Sequence, residues 1–211
     1  MPAQSADRLA ETSVPIHPPI AQRWSPRAFD PDAALSTDEV TALLEAGRWA
    51  ATWGGRQPVR FVVGVRRRAG AERPGDRPDD ETFTTLAGLL GRGNAYATAA
   101  GALILVCADA GEDENTALYS VVDAGAAEAN LIIEAVSRGL IAHPMAGFDG
   151  EGARAAFGIP AGVRPIMVIA VGSLADYSQV RADIAERDAR PRRRLPLHEV
   201  AFSDTWGRPW Q

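Results

Sequence analysis

Two stretches of the chain, GALILVCA at residues 101–108 and PIMVIAVG at 165–172, are almost wholly apolar. A strand points successive side chains to opposite faces, so a run with no polar alternation has to be covered on both. The chain therefore needs a sheet with these two strands at its centre. Between them lies the longest helical pattern, residues 116–138, with Leu118, Val122, Gly125, Ala129, Ile132 and Val136 along one stripe. Gly125, Ala126, Ala127 and Ala129 leave part of this helix nearly smooth, open to close packing inside the core or against a second copy of the chain.

The punctuation around this centre is local. Ser36 with Glu39 three residues on is a capping-box pair, and Val40, Leu43 and Leu44 give the helix behind it a buried face. Residues 60–65 are short and β-branched and predict a third strand, whereas RRRAGAERPGDRPDD at 66–80 predicts a mobile loop. Phe83, Leu86 and Leu90 predict a helix over 81–90 closed by a left-handed cap at Gly91, and a short helix over 150–157 is expected to close at Gly158. Pro15, Pro18 and Pro19 predict an extended arm over residues 1–22, ahead of a core at 23–174. A polar second arm, 175–211, ends in FSDTWGRPWQ, where Trp206 and Trp210 expose large apolar area unless something covers them.

Composition then excludes whole classes of function. With 22 basic and 27 acidic side chains among 211 residues the net charge is −5, which argues against a nucleic-acid or anionic-membrane binder. No apolar run approaches the roughly 18 residues of a membrane span, so a soluble cytoplasmic protein is expected. The one cysteine, Cys107, sits inside an apolar run and predicts packing rather than reactivity. Every basic residue is arginine, which excludes lysine Schiff-base chemistry. His17, His143 and His198 are scattered, without metal-site spacing, and no metal is expected. Neither G-x-S-x-G nor G-x-G-x-x-G occurs, so any chemistry has to be borrowed from a cofactor.

Two arginine groups stand out, Arg23-Trp24-Ser25-Pro26-Arg27 and Arg190-Pro191-Arg192-Arg193-Arg194. Guanidinium forks match phosphate oxygens and Ser25 adds a hydroxyl, so together they make a candidate phosphate cradle; separately, each is also compatible with solvated charge. In Pro144-Met145-Ala146-Gly147-Phe148 the small residues leave backbone N–H groups open to a flat ligand, or form an ordinary connecting turn.

Taken in order, R-W-S-P-R-A-F, an alanine-rich helix end running into Q-P-V-R-F-V-V, P-M-A-G-F and R-R-R-L-P resemble the FMN-dependent nitroreductase family, from about residue 20 to the C-terminus. The resemblance implies an α+β fold, a mixed or antiparallel central sheet flanked by helices, in an intertwined homodimer with FMN at the interface. NADPH or NADH would pass hydride through flavin N5 to a nitroaromatic, quinone or similar conjugated acceptor in a ping-pong cycle. Carried over residue by residue, Arg23, Trp24, Ser25, Arg27, Arg192 and Arg194 would contact the FMN phosphate, ribityl and pyrimidine side. Ala146 and Gly147, with Pro144 and Met145, would present N–H groups to N5 and O4, and Asn94 would lie near the pyrimidine edge. Arg27, or failing that Arg56, would be the cation that favours flavin reduction. Trp53, Tyr96 and His143 would shape the acceptor pocket.

One segment departs from the family pattern. Where relatives carry Pro-Ser-x-x-Asn-x-Gln-Pro-Trp, the chain reads Ala51-Thr52-Trp53-Gly54-Gly55-Arg56-Gln57-Pro58-Val59, with Gly55 in the place of the asparagine. Thr52 and Gln57 keep their polar groups, and Trp53 either stacks on a ligand or packs the edge of the site. Two further readings stay open on that ground: an FMN-storing protein without nicotinamide turnover, and a flavin oxidase or dehydrogenase reduced by its own substrate.

Overall fold

The computed structural model describes residues 8–66 and 81–210; residues 67–80, where the mobile loop is predicted, lie outside them. Strands β1 (Val59–Val65), β2 (Ala102–Asp109), β3 (Ile141–Met145) and β4 (Val163–Gly172) form one sheet in the order β1-β2-β4-β3, every pairing antiparallel. The two apolar runs are β2 and β4, the central pair. Alternation along β2 divides the core: Ile104 and Val106 pack with α2 (Thr37–Arg48) and α4 (Glu114–Ser137). Leu103, Leu105 and Cys107 pack with α3 (Glu81–Gly88) and α5 (Gly150–Phe157) on the other face. Burial pushes the Cys107 thiol up to about 11, which keeps it protonated and inert.

Local signals set most helix ends. Ser36 Oγ accepts from the Glu39 N–H at 3.2 Å while Glu39 accepts from the Ser36 N–H at 2.7 Å, the reciprocal cap expected. Gly158 closes α5 in the left-handed conformation, φ 61°. Gly91 does not: its φ is −61°, and α3 ends at Gly88. The chain instead leaves the helix to bridge Leu90 to Phe148, with the Gly91 N–H donating to the Gly147 carbonyl at 2.9 Å. The arm predicted to be extended contains a helix, α1 (Pro18–Gln22), because prolines at the first helical positions forfeit no hydrogen bond there.

α4 corrects the reading of its stripe. Thr116, Ser120, Ala124, Ala127, Leu131 and Ala135 face the core, whereas Leu118 and Val122 are 59% and 55% exposed. Ile132 alone of the large apolar residues in the predicted stripe is fully buried. The smaller side chains face inward because α2 and β2 lie close against that side. No helix among the described residues is long and apolar enough to cross a membrane.

Candidate cofactor site

The two arginine groups meet. The segment between α1 and α2 that carries Arg23–Arg27 lies against the chain leaving α6 (Ala182–Asp188), and between them is a cavity of about 200 Å³. Arg8, Arg23, Arg27, Arg187, Arg190, Arg192 and Arg194 line it, with one carboxylate, Asp188. That carboxylate is already engaged by Arg27, at 3.3 Å. Burial, then Arg194, pushes the Arg23 guanidinium down, partly offset by the half-buried Glu128 on α4. Burial also pushes Arg192 down, followed by Arg23, Arg194 and Arg8. Like charges held this close with so little compensation fit an anion with several acceptor oxygens.

Within the cradle the arginines divide their work. Arg23 Nη1 donates to Ser25 Oγ at 3.2 Å, bringing guanidinium and hydroxyl to one point. Arg192 turns inward instead, donating from Nη2 to the Arg23 carbonyl at 2.8 Å and from Nη1 to the carbonyls of Ala21, at 3.1 Å, and Arg8. Sequence places it on the phosphate; the structure uses most of its donors to fix the backbone that carries Arg23. Arg194 is exposed, its Nη1 donating only to the neighbouring Arg193 carbonyl, and Arg8 lies over the Trp24 ring at 4.1 Å.

From Arg27 a connected track leads to the second motif. The Arg27 guanidinium stands 5.7 Å from the Tyr96 ring centre, and the Tyr96 hydroxyl reaches Asn94 Oδ1 at 3.5 Å. Asn94 Nδ2 donates to the Gly147 carbonyl at 2.9 Å. Ala146 and Gly147 are exposed, and among the described residues their N–H groups donate to no other group. Two free donors on a pinned turn suit the edge of a flat heterocycle. Met145 is 3% exposed and belongs to the core with β3, so it and the half-buried Pro144 act through the backbone alone.

His143 stands beside this track, its ring centre 5.1 Å from that of Tyr96. It is 9% exposed on β3, and its Nδ1–H donates to the Pro26 carbonyl at 2.9 Å, so it props the arginine segment from behind. Burial pushes its pKa below the ordinary histidine value, with Arg27 adding to the shift.

Thr52 and Gln57 line a different cavity, about 500 Å³, between α2, β1 and α4. One chain does not bring them to the arginine cradle. Trp53 packs rather than standing free: its ring stacks on Tyr119 at 4.9 Å and its backbone N–H donates to the Asp123 carboxylate at 3.1 Å. Gly54 and Gly55 follow with φ of 59° and 69°, so the departure from the family pattern is also a left-handed turn. Asp123, Asp188, Tyr177 and Arg8 escaped the sequence reading. Asp123, Asp188 and Arg8 act on segments remote in sequence, Tyr177 acts through Asp188, and no local pattern marks any of them.

A family model for the nitroreductase family matches residues 20–173. The chain belongs to the nitroreductase family. Over 151 residues it is 66% identical to an uncharacterised 15.4 kDa protein from the ask 5′ region of Mycolicibacterium smegmatis, an alignment spanning 72% of this chain and 99% of that one. Its fold is similar to a crystal structure described as an oxidoreductase containing FMN, at 30% identity and a TM-score of 0.80, covering 93% of this chain and 95% of that one. A nitroreductase-like protein of Exiguobacterium sibiricum solved with FMN shares the fold at 20% identity and a TM-score of 0.69, over 90% and 98% of the two chains. In this chain, helices and an antiparallel four-stranded sheet make one α+β unit with the nitroreductase fold. Among its described residues no group of three or more His, Cys, Asp or Glu side chains is placed to hold a metal ion.

Proposed function

We propose that this nitroreductase-family chain binds FMN and uses NADPH or NADH to reduce nitroaromatic, quinone or similar conjugated acceptors. The observation that carries the reading is the arginine cradle with too few acids to balance it, joined through Tyr96 and Asn94 to a turn with two unused N–H donors. When bound, FMN supplies the hydride chemistry, accepting from the nicotinamide and passing on to the acceptor. The chain supplies position and charge. Arg23, Ser25 and Arg194 hold the phosphate, Ala146 and Gly147 donate to the ring edge, and Arg27 keeps a cation nearby that Asp188 partly offsets. No side chain is required as nucleophile or general base.

The same reading includes a homodimer. Thr52 and Gln57 line a separate cavity, so they join the site only if a second copy presents them. The exposed Leu118 and Val122 of α4, and Trp206 at 92% exposure, supply apolar area for that contact.

Anaerobic visible-absorption titration of FMN-loaded protein with NADPH, then NADH, tests the function. Stoichiometric bleaching is expected. Flavin that stays oxidised would point to storage or to reduction by a dedicated substrate.

A further inference from the structure

An acid inside an anion site is electrostatically adverse, yet the Asp188 side chain, 1% exposed, is buried among the cradle arginines. Both its oxygens are in use. Oδ2 accepts from the N–H groups of Arg27 and Ala28 at 2.8 and 3.2 Å and from the Tyr177 hydroxyl at 2.9 Å, and Oδ1 accepts from Arg27 Nη1 at 3.3 Å. The carboxylate sits on the last residue of α6, immediately ahead of Arg190, Arg192 and Arg194, while its main donors lie about 160 residues earlier. Arg27 is held by backbone and side chain together, while Arg23, Arg187, Arg190 and Arg194 line the same cavity with donors that no protein acceptor among the described residues takes up.

We propose that Asp188 is the positioning residue of the phosphate cradle: it latches the C-terminal arginine run onto the Arg23–Arg27 segment. The identity of the ligand rests on the FMN reading; the latch geometry does not. Charge and position predict opposite signs for its removal. If Asp188 acts through its charge, neutralising it strengthens phosphate binding; if it acts by holding the arginines in place, neutralising it weakens binding.

FMN and riboflavin differ only in the phosphate, so the ratio of their Kd values isolates the cradle. Flavin-free wild type, Asp188→Asn and Tyr177→Phe are titrated with each by flavin fluorescence. The preference for FMN over riboflavin is expected to fall about tenfold in D188N, the loss of one well-placed charge-assisted contact, and less in Y177F, with riboflavin affinity unchanged. An FMN preference that rises or stays constant overturns the proposal. Equal losses for both flavins, the mark of general loosening, overturn it as well. Should D188N fail to fold, Y177F carries the same comparison. If wild type binds neither flavin, the FMN reading fails, and hydrogen exchange on the same flavin-free protein decides the latch. Faster exchange at the Arg27 and Ala28 amides and through 182–194 in Asp188→Ala, with α4 unchanged, supports it; unchanged exchange there overturns it.

Discussion

The Gly147 carbonyl accepts twice, from Asn94 Nδ2 and from the Gly91 N–H, both at 2.9 Å. Two donors on one oxygen fix the turn that exposes the Ala146 and Gly147 N–H groups. Asn94→Ala is expected to leave the fold intact and to weaken FMN binding by about 0.5–1.5 kcal/mol, the worth of one neutral hydrogen bond. Fluorescence titration gives the affinity, and faster exchange at residues 146–148 would locate the loosened turn.

Arg23→Ala and Arg194→Ala should each weaken FMN binding by about 1.5–3 kcal/mol with little change in unfolding. Arg192→Ala should differ in kind. It removes the bonds to the carbonyls of Arg8, Ala21 and Arg23, so lowered stability accompanies the lost affinity. Thermal unfolding of the three flavin-free variants separates the roles. Unchanged FMN affinity in both Arg23→Ala and Arg194→Ala would remove the cradle assignment.

Gly55 stands where the family resemblance places an asparagine, at φ 69°, with open space around the position a Cβ would take. Asparagine tolerates the left-handed region better than most residues. Gly55→Asn should therefore fold normally and, if this turn faces the flavin of a second copy, tighten FMN binding. Titration against wild type checks both halves.

Much of the fold could be read locally and much of the site could not. β2 and β4 were legible because burial on both faces removes the polar alternation, and the Ser36–Glu39 cap because its partners are three residues apart. The α4 stripe misled, since apolar spacing reports a face that avoids water without saying what covers it. Leu118 and Val122 lie on such a face while Thr116 and Ser120 point inward. Asp188 left no pattern at all, since its partners Arg27 and Ala28 are brought to it only by the completed fold. The family resemblance named Arg23, Ser25 and Gly147, but only the coordinates separate Arg192, which holds carbonyls, from Arg194, which is exposed.

His143 links stability to pH. Its pKa in the folded chain is pushed below the ordinary value of about 6.5, so the unfolded chain takes up the proton first. The stability of the neutral form is fully present above that value and is lost as pH falls towards the folded pKa, with a slope of up to about 1.4 kcal/mol per pH unit. Burial opposes protonation most, with Arg27 and Arg187 adding to it, whereas the bond to the Pro26 carbonyl and the Asp188 charge favour it. His143→Asn, which keeps a donor for the Pro26 carbonyl, should flatten the difference between urea unfolding at pH 7.5 and at pH 5.5.

Leu118→Arg with Val122→Arg should convert a dimer to a monomer that folds but retains little flavin. Light scattering paired with the flavin-to-protein absorbance ratio reads both. A flavin-loaded monomer from wild type would contradict the shared-site reading.

The cradle takes Arg8 and residues 23–27 from one end of the chain and 187–194 from the other. Chains emerge from the ribosome N-terminus first. Through most of translation the early arginines therefore exist without their counterparts, while the sheet can already be assembling. The cradle is complete only once residues 187–194 have folded back, and a chain cleaved ahead of Arg187 would keep all four strands yet lose Asp188 and four of the seven arginines that line the cavity.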